Sequence, residues 1–377
     1  MPYLHELSGW PRLNWREAEL LPVLSNVRYH QGRLLGKMEG LGFRFRDEAN
    51  LTNLTSEVIQ SSAIEGTVFD PVSVRSSIAR RMGMASERAT PSSHDVEGAV
   101  EMMLDATQHY AEPLTADRLL GWQSSLFPEG RSGLHRVLVG RWRTPEMDPM
   151  QVVSGPVSRD RLRKKNIHFE APTADRLPGE VRDFLQWFEG EQAIDPILRA
   201  AVAHLWFVTI HPFEDGNGRV SRAIADMALA RADSSALRFY SMSAQIEAEK
   251  KQYYDNLQQA QRGGLDITPW IIWFLACLDR ALERADESLA GILQKSAMWE
   301  RINAGAPVSE RQRLVLNALL DRSERAISTS KYAKLARCSL DTALRDIKSL
   351  VDSGVLVPGE GGGRSTKYQM SGAPART

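Results

Sequence analysis

The chain has 377 residues, too many for one ordinary core, so two or three domains are expected. Hydrophobic residues make up 42% and charged residues 25%, a balance that excludes disordered and fibrous classes. The formal net charge of +0 excludes a global pull toward nucleic acid or anionic membrane, so either partner would have to meet a local patch.

Helical periodicity dominates and strand signals are brief, which makes the class mainly α. The N-terminus lacks a basic region followed by an apolar core, and no apolar run is long enough to span a bilayer. Cys277 and Cys338 imply no disulfide framework, and a cytoplasmic location without a membrane partner is expected. Residues 15–42 read as one or two amphipathic helices ended by Gly40 and Gly42. Asn50 is read as the cap of a helix from Leu51 to Ile64, stopping at Glu65-Gly66 before a looser stretch over 67–73. Helices follow over Asp95 to Tyr110, over 116–127 with Thr115 as cap, over Pro178 to Glu189, and over Pro196 to Ile210 with Asp195 as cap.

Among these helices, Met150 to Val153 and Ile167 to Glu170 read as short strands joined by a basic loop with Gly155 and Pro156, a protruding hairpin. A helix from Gly218 to Ala230 and further helices from Ala244 to Leu293 come next, then a linker around Gly305 and Pro307. The last part reads as a helix over Arg311 to Leu320, a short one near Ser330 to Ala336, a turn and a helix after Ser339, completed by apolar Val355 to Val357, a Gly-rich turn and the segment Thr366 to Met370. That order is winged-helix-like.

The chemistry is concentrated in His211-Pro212-Phe213-Glu214-Asp215-Gly216-Asn217-Gly218-Arg219-Val220-Ser221-Arg222, between two strong helices. Gly216 and Gly218 permit close backbone approach where the second helix begins, and unpaired N–H groups there make an anion site. Arg219 and Arg222, three apart, project from one helix face and suit a polyphosphate. Asp215 supplies a hard oxygen for a Mg²⁺ bridging phosphates, and His211 can accept a proton near neutral pH. Phe213 is apolar inside a polar loop, as an anchor would be. Each feature alone is ordinary, since such a His is usually solvated, Asp-Gly-Asn-Gly is a common turn and spaced Arg residues are often a solvated face. The combination is specific.

This segment resembles the Fic signature, H-P-F-x-[DE]-G-N-G-R-x-x-R, at every specified position. The resemblance implies a Fic-type helical core and AMP transfer from ATP to a Ser, Thr or Tyr hydroxyl with release of pyrophosphate. His211 would deprotonate the target, Phe213 anchor the loop and Asp215 hold Mg²⁺. Gly216, Asn217 and Gly218 would form the anion hole, while Arg219 and Arg222 bind the outer phosphates. The hairpin would be the family's flap, aligning the target backbone by strand addition at Gln151, Val152 and Val153. Ser61-Ser62-Ala63-Ile64-Glu65-Gly66 is similar to the family's inhibitory pattern, [ST]-x-x-x-E-[GN]. Ser61 and Glu65 stand in the key places, and Glu65 would pair with Arg222 and keep the ATP γ-phosphate out of position.

The expected organisation is an N-terminal helical region over 1–45, the inhibitory helix and its flanking helices over 46–110, a Fic core over 111–298 and a winged helix over 299–377. Three alternatives stay open: removal of AMP, with Glu65 orienting a water; transfer of another nucleotide, phosphocholine or phosphate; and a DNA-binding regulator using Arg345, Lys348, Arg364 and Lys367. A zinc hydrolase does not fit, because His204 and His211 are seven apart and no HExxH-like set occurs. The target protein is not legible; the chain itself is one candidate, and oligomerisation is open.

Overall fold

The computed structural model describes residues 2–84, 91–133, 135–154, 166–191, 193–303, 305, 307–320, 326–359 and 366–371. Two units divide the chain, Met1–Asp286 and Glu287–Thr377. In the first unit α1 (Glu17–Glu39), α2 (Phe43–Ile64), α3 (Pro71–Arg81), α4 (His94–Gln108) and α5 (Ala116–Leu126) precede two small hairpins. These are β1 (Arg131–Ser132) with β2 (His135–Arg136), and β3 (Gln151–Ser154) with β4 (Asn166–Glu170). Then come α6 (Leu177–Glu189), α7 (Pro196–Ile210), α8 (Asn217–Asp233), α9 (Met242–Ala248), α10 (Lys250–Gln261) and α11 (Thr268–Asn303), the last running across the unit boundary. The protein is mainly α-helical, and no helix among the described residues is long and apolar enough to cross a membrane.

The first unit is organised around α7. Every residue from Ala200 to Ile210 is buried, as a helix apolar on all sides must be. Asp195 accepts from the Ile197 amide at 2.8 Å and Pro196 sits in the first turn, so entry into the helix is fixed locally. α7 packs along α8, which also receives α4 and α5. Gly98 on α4 permits the close approach of α5, since a Cβ there would lie 1.6 Å from the Ser125 carbonyl oxygen. α2 lies against α9 and α3.

Two expectations for this region need correction. α2 begins at Phe43, with Gly42 rather than Asn50 at its cap, and Asn50 lies inside the helix. Its side chain is 1% exposed and accepts from the Arg238 amide at 2.8 Å, so a tertiary partner replaces the local capping role. The stretch after Gly66 was expected to be loose, yet Asp70 caps α3 by accepting from Ser73 at 2.9 Å, with Pro71 at the first position.

The hairpin β3–β4 is antiparallel, with Gln151 opposite Glu170, Val152 opposite Phe169 and an irregularity between Val152 and Val153. Its basic connecting loop, 155–165, lies outside the described residues. In the second unit α12 (Glu310–Leu320), β5 (Ala326–Ser328), α13 (Thr329–Leu335), α14 (Leu340–Asp352), β6 (Leu356–Pro358) and β7 (Lys367–Met370) enclose a core that includes Val315, Leu316, Ile327, Ile347, Leu350 and Leu356. Its sheet is antiparallel in the order β5-β7-β6, and β5 is a strand that the sequence did not announce. Arg364 lies outside the described residues.

Candidate active site

α7 stops at His211, whose backbone takes the left-handed conformation, φ 51° and ψ 55°. A non-glycine residue there is uncommon and strained. The ring Nδ1 lies 3.2 Å from the Val208 carbonyl oxygen. A carbonyl only accepts, so Nδ1 carries the proton and Nε2 keeps a free lone pair. Burial lowers the His211 pKa to about 4; the Val208 bond opposes this, Arg143 adds to it, and Glu65 and Asp215 oppose it. The residue is still partly open to solvent, and at neutral pH it is an uncharged base.

The loop after His211 is pinned from within. Phe213 is 0% exposed and stacks on Trp142 with ring centroids 4.9 Å apart. Its amide donates to Asn217 Oδ1 at 2.9 Å and its carbonyl accepts from Asn217 Nδ2 at 2.8 Å. The Asn217 side chain is therefore spent on the loop, and its backbone amide is one of the orphan donors of the first turn of α8. Gly216 has φ 93°, and a Cβ there would meet the Phe127 ring at 3.1 Å. Asp215 accepts from the Gly216 amide at 2.6 Å through Oδ1. The neighbouring Glu214 accepts from the Leu138 amide at 2.8 Å.

Both arginines expected to bind phosphate project from α8 and are buried, Arg219 at 8% exposure and Arg222 at 2%. The Arg219 guanidinium stands 4.9 Å from the Phe127 ring centroid, and its Nε has no hydrogen-bond partner among the described residues. Arg222 donates from Nε to Ser61 Oγ at 2.9 Å and from Nη2 to the Ser61 carbonyl at 2.7 Å. Its Nη1 lies 2.9 Å from Glu65 Oε1, an ion-pair distance without the alignment of a hydrogen bond. Donor groups left unpaired in a buried cationic pair, beside helix-terminal amides and a carboxylate, fit a polyphosphate with its divalent cation.

Ser61 and Glu65 reach this position because α2 ends here. Lys250 Nζ donates to the Ala63 carbonyl at 3.0 Å and Tyr254 Oη to the Ile64 carbonyl at 3.3 Å, supplying donors to the orphan carbonyls of the helix end. The same face of α10 continues to the hairpin. Gln258 bonds the His168 ring at 3.1 Å, and Arg262 donates to the carbonyls of His168 and Ile167 at 3.0 and 2.7 Å. In the hairpin, Val152 and Val153 are exposed at 36% and 42%, with Gln151 bonded to Glu170 at 2.8 Å.

Sequence reasoning missed Arg143. Its side chain is fully buried, donating from Nε to the His211 carbonyl at 2.9 Å, from Nη1 to Asp148 at 2.7 Å and from Nη2 to the Pro172 carbonyl. Partners of this kind are mostly backbone atoms distant in sequence, so no spacing reveals them. Lys250 and Tyr254 escaped for the same reason.

Residues 113–229 match the family model described as Fic/DOC family, and residues 3–84 match a domain of unknown function, DUF4172. Protein adenylyltransferase Fic of Aedes aegypti is 37% identical over 133 residues, 34% of this chain and 25% of its own length. The protein of that name from Nematostella vectensis is 25% identical over 233 residues, 60% of this chain and 47% of its own. The chain thus spans between a quarter and a half of the length of these relatives. Among solved structures, a Fic family protein from Desulfovibrio desulfuricans has a TM-score of 0.51 at 18% identity, over 94% of this chain and 98% of that one. A Fic domain containing signaling protein from Bacteroides thetaiotaomicron has a TM-score of 0.51 at 18% identity, over 71% and 98%. These likenesses bear on the fold.

Proposed function

Residues 113–229 form a Fic domain, and from that premise we propose that the chain is an ATP-dependent protein adenylyltransferase held back by Glu65. The observation that carries the reading is the conjunction of a neutral His211 whose Nε2 keeps a lone pair, a buried Arg219 whose Nε has no hydrogen-bond partner among the described residues, and a buried Arg222 whose Nη1 meets the Glu65 carboxylate without a hydrogen bond there. The curated relatives named protein adenylyltransferase point to the same chemistry.

In this mechanism a Ser, Thr or Tyr hydroxyl of a target attacks the α-phosphorus of ATP. The new O–P bond forms as the bond to pyrophosphate breaks, and the hydroxyl proton passes to His211 Nε2. The amides of Gly216, Asn217 and Gly218 would receive the phosphate oxygens, the Gly216 amide releasing Asp215 Oδ1 to do so, and Arg219 and Arg222 would take the outer charges. Asp215 would hold Mg²⁺, which when bound offsets phosphate charge and lowers the barrier to pyrophosphate departure. Gln151, Val152 and Val153 would align the target chain by strand addition, the exposed edge being suited to it. Glu65 opposes the reaction by occupying the Arg222 side that the γ-phosphate requires. The target is another protein or this chain itself.

The test is incubation with Mg²⁺ and α-labelled ATP, followed by mass spectrometry of the labelled product. Label on a hydroxyl side chain as AMP supports the reading, and its absence from both the wild type and a Glu65→Gly variant sinks it. A second activity, hydrolysis of an AMP-protein bond, is favoured by the partial exposure of the Glu65 side chain, 33%, which lets a water reach it. For the second unit, with its winged-helix-like order, the exposed Arg345 and Lys348 on α14 are the features that would meet DNA phosphates. Gel shifts that weaken steeply with salt would support that role.

A further inference from the structure

We infer that Arg143 is a positioning residue that holds the His211 backbone in register with both roots of the β3–β4 hairpin. The inference rests on the reading of His211 as the base and extends it to a residue outside the signature. Three observations carry it.

The first is how the guanidinium is satisfied. A fully buried cation costs several kcal/mol unless it is paired and hydrogen-bonded. Here Asp148 supplies the charge and two backbone carbonyls, of His211 and Pro172, take further N–H groups. The Arg143 amide adds a bond to the Pro212 carbonyl at 2.9 Å, so the residue grips both peptides at the end of α7. The second is the conformation of the residue gripped. His211 is left-handed, a state that persists in a non-glycine residue only where surrounding contacts over-determine it. The third is where the other contacts lie. Asp148 stands just before β3 and Pro172 just after β4, and Asp148 Oδ2 also accepts from the Ala174 amide at 2.8 Å.

One planar fork therefore spans the two parts that must meet for transfer, the base and the strand against which a target would lie. Reactions of this type lose on the order of 10²-fold for a misplacement of about 1 Å. Lysine cannot replace the fork, because its ammonium is a compact point charge without the planar geometry. The cation also acts electrostatically. The charged groups facing His211 are Arg143, Glu65 and Asp215, and Arg143 is the one that disfavours the imidazolium.

The test uses the full chain carrying Glu65→Gly, so that turnover is measurable, with Arg143→Lys, Arg143→Gln or Asp148→Asn added. Arg143→Lys should lower kcat about 10²-fold while KM for ATP stays within about twofold. Arg143→Gln should in addition raise the His211 pKa, read by NMR titration of the imidazole, and shift the acid limb of kcat upward. Asp148→Asn should give a smaller loss of kcat with the pKa nearly unchanged. If Arg143→Gln fails to fold, the kcat and KM of Arg143→Lys decide. Parent kcat in Arg143→Lys, or a His211 pKa unmoved in folded Arg143→Gln, overturns the inference. If the Glu65→Gly parent itself transfers no AMP, the adenylyltransferase reading fails, and the NMR titration still judges Arg143.

Discussion

Ser61 meets Arg222 through both of its oxygens, Oγ at 2.9 Å from Nε and the carbonyl at 2.7 Å from Nη2, leaving Nη1 to Glu65. The arginine is thus seated by a residue of α2 and obstructed by the residue that caps its end. Glu65 adds a charge contact that is a third exposed and lacks hydrogen-bond alignment, which a phosphate could displace.

Glu65→Gly should raise AMP transfer, including self-modification, by about tenfold or more, the equivalent of about 1.4 kcal/mol. Arg222 keeps its seat on Ser61, so the thermal midpoint should move little. Arg222→Ala should not reproduce the gain, because it deletes the phosphate ligand along with the anchor of the brake. Initial rates with α-labelled ATP decide, and a folded Glu65→Gly no faster than wild type would show Glu65 to be an ordinary helix-end carboxylate.

His211→Ala should lower transfer by roughly 10²–10⁴-fold while ATP binding is retained. The pH profile carries the sharper information. Because the folded pKa is lowered to about 4, the base remains neutral well below its usual 6.5, and the acid limb of kcat/KM, which reports the free enzyme, should lie below pH 6. An acid limb centred near 6.5 would mean that the imidazole titrates as if solvated.

Asp215→Ala should abolish divalent-dependent turnover, and EDTA should silence the wild type. Binding of ATP without metal, measured by calorimetry, should survive the substitution because the two arginines and the α8 amides remain. Full activity in EDTA would remove the metal role.

His204 offers a stability test away from the chemistry. It is 1% exposed, bonded to the Tyr253 hydroxyl at 3.0 Å, and its pKa is lowered to about 3 by burial and then by Arg222. Between that value and 6.5 the unfolded chain binds a proton that the folded chain refuses, so stability falls as pH drops, by up to about 1.4 kcal/mol per unit. Urea unfolding at pH 7 and pH 5 should show a smaller difference for His204→Asn than for wild type. Equal differences would mean that another group controls the acid limb.

The parts legible in the sequence were those whose signals are local. The limits of α7 are legible from Asp195 as cap, Pro196 in the first turn and the mostly apolar stretch that follows, and the loop before α8 from a motif of twelve contiguous residues. The Ser61 to Gly66 pattern could be matched because its residues lie one helical turn apart. Asn50 was misread because a capping residue type also serves as an interior ligand, here for the Arg238 amide. β5 was missed because three residues leave no alternation to detect, and Arg143 because its partners are mostly carbonyls, which every residue possesses.

Gly218 is the place where the ligand cradle and the brake share space. A Cβ there would lie 2.1 Å from Glu65 Oε1 and 3.3 Å from Arg222 Nη1. Any side chain at 218 would therefore push Glu65 away and crowd the Arg222 guanidinium at once. Mutational escape from inhibition is closed off on the α8 side, since a change there that frees the enzyme also disables it. Runaway variants should arise at the end of α2, and a genetic screen for hyperactivity would collect substitutions at residue 65 and none at residue 218.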